Sequence, residues 1–166
     1  MRSDMPRTYC LIDLQALRNN LKAVRSLIGA SKLMFVVKAD AYGHGAEETA
    51  KAASDLVDLL GVATADEGAK LRESGIRLPI VILGNTVPCD YHKLIEYGLA
   101  ATVFSQESAR LLDMFAISRK ASVDVHIAID TGMGRIGFVQ GQEDAVERIY
   151  KSKGLNPGGA FTHFAC

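Results

Sequence analysis

Short apolar runs alternate with longer amphipathic stretches along most of the chain. Met34-Phe35-Val36-Val37 is apolar and partly β-branched, the pattern of a buried strand. Ala46, Ala50, Ala53, Val57 and Leu60 then recur at helical spacing and predict one helix from Ala46 to Leu60. Leu60 to Thr64 reads as a strand, and Asp66 to Ser74 as a helix stopped by Gly75. The strand Ile80 to Leu83 ends at Gly84-Asn85, and a helix near Asp90 to Tyr97 ends at Gly98. Ala101 to Phe104 is a strand, and Ser105 is suited to cap a helix from Gln106 to about Arg119.

Val123, Val125, Ile127 and Ile129 alternate with Asp124, His126 and Ala128, a strand period. Gln142 to Lys153 predicts a helix, and Ala160 to Ala165 a last strand. Ahead of all these, Asp13 can cap a helix from Leu14 to about Ile28, preceded by a short extended segment from Thr8 to Ile12. Strands alternating with helices at this spacing indicate an α/β protein with a parallel sheet. Six strands are counted from Met34 onward. A closed barrel of eight needs about 250 residues. The pattern therefore allows either a shorter open sheet or part of a barrel.

Composition narrows the function classes. The 166 residues suffice for one domain, and 48% of them are hydrophobic. No apolar run approaches the roughly 20 residues of a membrane span. The polar stretch Met1 to Arg7 lacks the apolar core of a secretory signal. A soluble, cytoplasmic protein is expected. The 19 basic residues match the 19 acidic ones, without the basic excess of a nucleic-acid binder. Cys10, Cys89 and Cys166 have no C-x-x-C spacing, so neither a disulfide framework nor a metal site is expected, and reduced thiols are the simplest reading.

In either architecture ligands bind where strands end and loops begin. There the chain reads Lys38-Ala39-Asp40-Ala41-Tyr42-Gly43-His44-Gly45. A lysine directly after Phe35-Val36-Val37 either marks a strand end facing water or is desolvated toward its neutral amine. A neutral amine can attack an aldehyde cofactor. Gly43 and Gly45 allow a close backbone approach. The loop leads into a helix N-terminus, a feature able to bind phosphate, and Tyr42 adds a phenol.

Val37 to Gly45 resembles the pyridoxal-phosphate attachment segment of the alanine racemase family. Asp130-Thr131-Gly132-Met133-Gly134-Arg135-Ile136-Gly137-Phe138 is similar to a second family segment, and Thr162-His163-Phe164-Ala165 to a third. They occur in the family's order, each after a predicted strand, and the resemblance runs from about Thr8 to the last residue. It implies an N-terminal (β/α)8 barrel followed by a mostly β domain. Residues 1–166 would then be a partial barrel domain, with about six of eight βα units and the β domain missing.

The resemblance further implies pyridoxal 5'-phosphate held by Lys38, which serves as one of two bases in the interconversion of L- and D-alanine. The other base is a tyrosine from the partner subunit's β domain, so a homodimer with a shared site is expected. The product D-alanine would serve peptidoglycan synthesis. Arg135 corresponds to the arginine contacting the cofactor's phenolic oxygen and the substrate carboxylate, which a forked guanidinium suits. Tyr42 corresponds to a phosphate ligand. His163 corresponds to the histidine bonded to the arginine facing the pyridine nitrogen, and Leu83 to a wall of the pocket.

Two departures stand out. Many family members carry a lysine, often carbamylated, seven residues before the arginine. Here that position is Ala128, so a bound anion or another side chain is expected to orient Arg135. The second base and the pyridine-facing arginine lie outside the chain, so the polypeptide alone is expected to be inactive and poorly stable. A serine or broad-specificity racemase is an alternative, as is a non-catalytic pyridoxal-phosphate-binding barrel. The Thr131 to Phe138 loop weighs against the latter.

Overall fold

The computed structural model describes residues 8–165, so the expectations for Met1 to Arg7 and the thiol of Cys166 lie outside the described residues. Thr8 to Ile12 forms neither strand nor helix. The first helix, α1 (Leu14–Ile28), begins where expected, because the Asp13 side chain accepts hydrogen bonds from the Gln15 and Ala16 amides, both at 2.9 Å.

Six strands follow: β1 (Met34–Val36), β2 (Leu59–Val62), β3 (Ile80–Ile82), β4 (Ala101–Val103), β5 (Val123–Ile129) and β6 (Leu155–Thr162). Every pairing is parallel, β1 to β2 to β3 and β4 to β5 to β6. One bridge, Val81 with Ala100, joins the two groups: Ile82 N–H donates to Ala100 O at 2.8 Å and Ala100 N–H to Ile80 O at 2.9 Å. The strands thus stand in chain order with no reversal. A doubly wound sheet reverses its order at a switch point, whereas a barrel does not. The choice that periodicity left open is settled for an incomplete barrel, with β1 and β6 as its edges.

The helices cover one face of this arc. They are α2 (Ala46–Ala53), α3 (Ala65–Glu73), α4 (Tyr91–Glu96, after a 3-10 turn at Pro88–Asp90), α5 (Gln106–Ser118) and α6 (Glu143–Tyr150). The core lies between them and the strands. Leu60, Val62, Ile80, Ile82, Ala101, Val103, Val125 and Ile127 are all buried there. Intervening residues such as Gly61, Thr102, His126 and Ala128 point to the opposite, inner face, as the strand period requires. Ser105 caps α5 through a reciprocal box with Ser108.

Two elements depart from the sequence pattern. The helix expected from Ala46 to Leu60 stops at Ala53, because Leu59 is drawn into β2 in register with Met34. Asp55 and Asp58 hold the freed connection by pairing with Arg18 and Arg25 of α1. The last strand starts five residues before Ala160, at Leu155. It accommodates Pro157 at a bulge, where Val125 pairs with Pro157 and His126 with Gly159.

Candidate active site

At the C-terminal strand ends lies a cavity of about 440 Å³. Lys38, Tyr42, Leu83, Arg135 and His163 all line it, although they come from the ends of β1, β3, β5 and β6. Met34, Val36, Leu83 and Ile136 contribute apolar wall, and Asn85, Asp130 and Thr162 further polar groups. The resemblance gave those last three no role, although Asp130 and Thr162 open its second and third segments.

Lys38 is half-buried, and its Nζ lies 5.9 Å from the centroid of the Tyr42 ring, within cation–π range. Val37 is buried and extends the β1 pairing, its N–H donating to Gly61 O at 2.8 Å. Beyond Lys38 the chain reverses hand. Ala39, Asp40, Ala41 and Tyr42 all have φ between 50° and 57°. For residues other than glycine this conformation costs roughly 1–2 kcal/mol each and normally occurs singly. Such strain persists only when surrounding bonds hold it, and it concentrates at functional sites.

The bonds are present. Ala41 N–H donates to Val37 O at 2.9 Å and Gly45 N–H to Asp40 O at 3.0 Å. His44 Nδ1, as the protonated tautomer, donates to Ala41 O at 2.9 Å. The Asp40 carboxylate accepts from Ala46 N–H at 2.7 Å. The Glu67 carboxylate accepts from Ala39 N–H at 2.8 Å and from Ala63 N–H at 2.7 Å.

This geometry revises the reading of the loop. Gly43 and Gly45, each at φ 85°, close the left-handed turn and do not line the cavity. Nor does the N-terminus of α2 invite a phosphate, since Asp40 already occupies Ala46 N–H and Glu47 and Glu48 stand in the first turn. Of the groups of this segment read as phosphate ligands, the Tyr42 phenol lines the cavity.

Arg135 rides on a loop that doubles back onto β5. Asp130 N–H donates to Phe138 O and Phe138 N–H to Ala128 O, both at 2.9 Å. One oxygen of Asp130 accepts from Gly132 N–H at 2.9 Å and Gly134 N–H at 3.1 Å. Those two amides hold its carboxyl below the usual carboxylate range. Among the described residues no side chain bonds to Arg135, and Ala128 beside it is buried. The other side chain that was to orient Arg135 is therefore not found among them. His163 is exposed at the cavity rim.

Fold and cavity define a barrel-type protein whose cavity gathers an amine, a phenol, a guanidinium and an imidazole at the C-terminal strand ends. The model of the family "Alanine racemase, N-terminal domain" matches residues 12–166. The chain belongs to the alanine racemase family, of which it carries the N-terminal domain.

It is 41% identical over 162 residues to the alanine racemase of Carboxydothermus hydrogenoformans, covering 97% of this chain and 44% of that protein. An alanine racemase of Clostridium difficile has the same fold at TM-score 0.89 and 38% identity, covering 95% of this chain and 44% of that one. Another structure, an alanine racemase from Bacillus anthracis with bound L-Ala-P, superposes at TM-score 0.83 and 33% identity, covering 93% and 41%. The chain thus spans less than half the length of these relatives. Among the described residues no helix is long and apolar enough to cross a membrane.

Proposed function

We propose that this chain forms the pyridoxal-phosphate-binding part of an alanine racemase site, which interconverts L- and D-alanine and supplies D-alanine for peptidoglycan. The carrying observation is the convergence of Lys38, Tyr42, Arg135 and His163, from strand ends far apart in sequence, on one cavity. The relative solved with L-Ala-P supports a small amino-acid-like ligand. The donor set fits the cofactor: an amine for its aldehyde, a phenol for its phosphate, a guanidinium for its phenolic oxygen, and apolar walls for its ring.

Pyridoxal phosphate, when bound, supplies the electron-withdrawing ring that makes an amino acid's α-proton removable. Lys38 would hold the cofactor through its amine and, once the substrate's amino group has displaced that amine, would serve as the base on one face of the substrate, taking or returning the proton at Nζ. Arg135 binds the substrate carboxylate, its fork matching the two oxygens. A bound anion beside Ala128 fixes the guanidinium, to which no side chain among the described residues bonds. His163 supports a pyridine-facing arginine, and Leu83 walls the pocket. A tyrosine of the partner subunit's β domain serves the opposite face, in a cytoplasmic homodimer that shares its sites.

Borohydride reduction in the presence of pyridoxal phosphate, followed by peptide mapping, tests the reading. A pyridoxyl adduct on Lys38 is expected, and one on any other lysine overturns it.

A further inference from the structure

Glu67 stands on α3, outside the cavity, yet it holds the segment that begins at the cofactor lysine. Its two oxygens are divided between two strand ends: one accepts from Ala39 N–H, directly after Lys38, and the other from Ala63 N–H, directly after β2. The Glu67 backbone is itself anchored, because the Thr64 hydroxyl caps α3 by accepting from the Glu67 amide at 3.3 Å. Charged acceptors make the stronger backbone hydrogen bonds. Ala39 is the first of four consecutive left-handed residues, and its amide is the point where the chain changes hand.

Without Glu67, the turn loses the bond at its first amide, one of those that oppose its return to right-handed backbone. That return would rotate the Cα–Cβ directions of Lys38 and Tyr42, the two residues the segment contributes to the cavity. We infer that Glu67 is a positioning residue, which holds the left-handed turn at Ala39 and thereby aims Lys38 and Tyr42 into the site. The inference rests on the reading of Lys38 as the cofactor lysine.

Two variants test it. Glu67→Gln keeps the side-chain length and one acceptor oxygen, whereas Glu67→Ala removes both acceptors. Amide hydrogen exchange of the full chain reads the turn directly. In Glu67→Gln, exchange over Ala39 to Tyr42 is expected to accelerate about tenfold, with protection of Leu60 and Ile82 unchanged. In Glu67→Ala the acceleration is larger. The affinity of Lys38 for pyridoxal phosphate, read by absorbance and by adduct mapping, is expected to weaken in the same order.

Unchanged exchange over Ala39 to Tyr42 in Glu67→Gln overturns the inference. So does a lowered melting temperature with cofactor affinity unaltered, the mark of a merely structural carboxylate. A parent chain that loads no cofactor at Lys38 refutes the site reading and, with it, the aiming role. The exchange measurement would then still report whether Glu67 holds the turn.

Discussion

The hydroxyls of Thr131 and Thr162 meet at 2.6 Å, tying the loop that carries Arg135 to the strand end that carries His163. These residues are 31 positions apart and reach the same cavity only because β5 and β6 are neighbours in parallel register, Ile129 opposite Thr162. Both hydroxyls are exposed, so the pair is worth little in global stability. Thr131→Val should cost about 0.5–1 kcal/mol in urea unfolding. Amide exchange should rise locally across Gly132 to Gly137. The double variant with Thr162→Val should cost no more than the larger single change if the two hydroxyls act as a pair.

Gly137 is where that loop passes closest to its own strand. It has φ 134°, and a Cβ there would lie 2.5 Å from the Asp130 backbone nitrogen. A backbone atom cannot move aside as a side-chain end can. Gly137→Ala should therefore destabilise by about 2–3 kcal/mol, in the range of overpacking. It should also break the Ile129–Phe138 bridge that returns the loop to β5. Thermal unfolding and the protection of the Phe138 amide measure the two effects.

Arg72 on α3 supports the opposite end of the barrel, away from the cavity. Its guanidinium donates to the carbonyls of Tyr97 at 2.9 Å, Ile76 at 3.1 Å, Leu78 at 2.7 Å and Gly98 at 3.2 Å. It thus clamps the two turns that precede β3 and β4. Burial pushes the guanidinium pKa down, and the charge of Arg77 adds to the shift. A lysine ammonium is a point charge and cannot span four divergent carbonyls. Arg72→Lys should cost about 2–3 kcal/mol, lost with charged-group hydrogen bonds, as read by denaturant midpoint.

Acid should weaken the fold in two steps. Burial lowers the pKa of His126 on β5, although Asp124 opposes the shift. The unfolded chain therefore binds this proton first, and stability falls as pH drops from about 6.5 toward the lower folded value. The Asp130 carboxyl is lowered by the Gly132 and Gly134 amides. Its contribution is complete above the unfolded value of about 3.9 and is lost as pH falls through the folded one. Denaturant midpoints measured against pH should lose the upper step in His126→Gln, whereas Asp130→Asn should only reduce the lower step, because Asp55, Asp58, Asp66 and Glu143 are lowered too.

Much of the architecture was legible along the chain, because period and caps are local. Asp13 marks the start of α1, Ser105 that of α5, and the alternation from Val123 to Ile129 is one strand from end to end. Pro157, Gly158 and Gly159 hid the start of β6, since a strand admits such residues at a bulge, which depends on its pairing with β5. Glu67 left a faint signal: Thr64-x-x-Glu67 has the spacing of a capping box. The structure redirects that carboxylate from the cap residue's own amide to Ala63 and Ala39.

By itself, then, the sequence determined the alternation of strands and helices, the family and the residue types available for chemistry. Those follow from side chains and their near neighbours. Tertiary structure decided that the sheet is the arc of a barrel, because strand order depends on which distant edges pair. It also decided that Lys38, Tyr42, Arg135 and His163 share one cavity. The left-handed turn after Lys38 belongs with these. No local preference of Ala39, Ala41 or Tyr42 favours it. It exists because the Glu67 carboxylate and the Val37 carbonyl hold the Ala39 and Ala41 amides, while the Asp40 carboxylate ties the turn to the Ala46 amide.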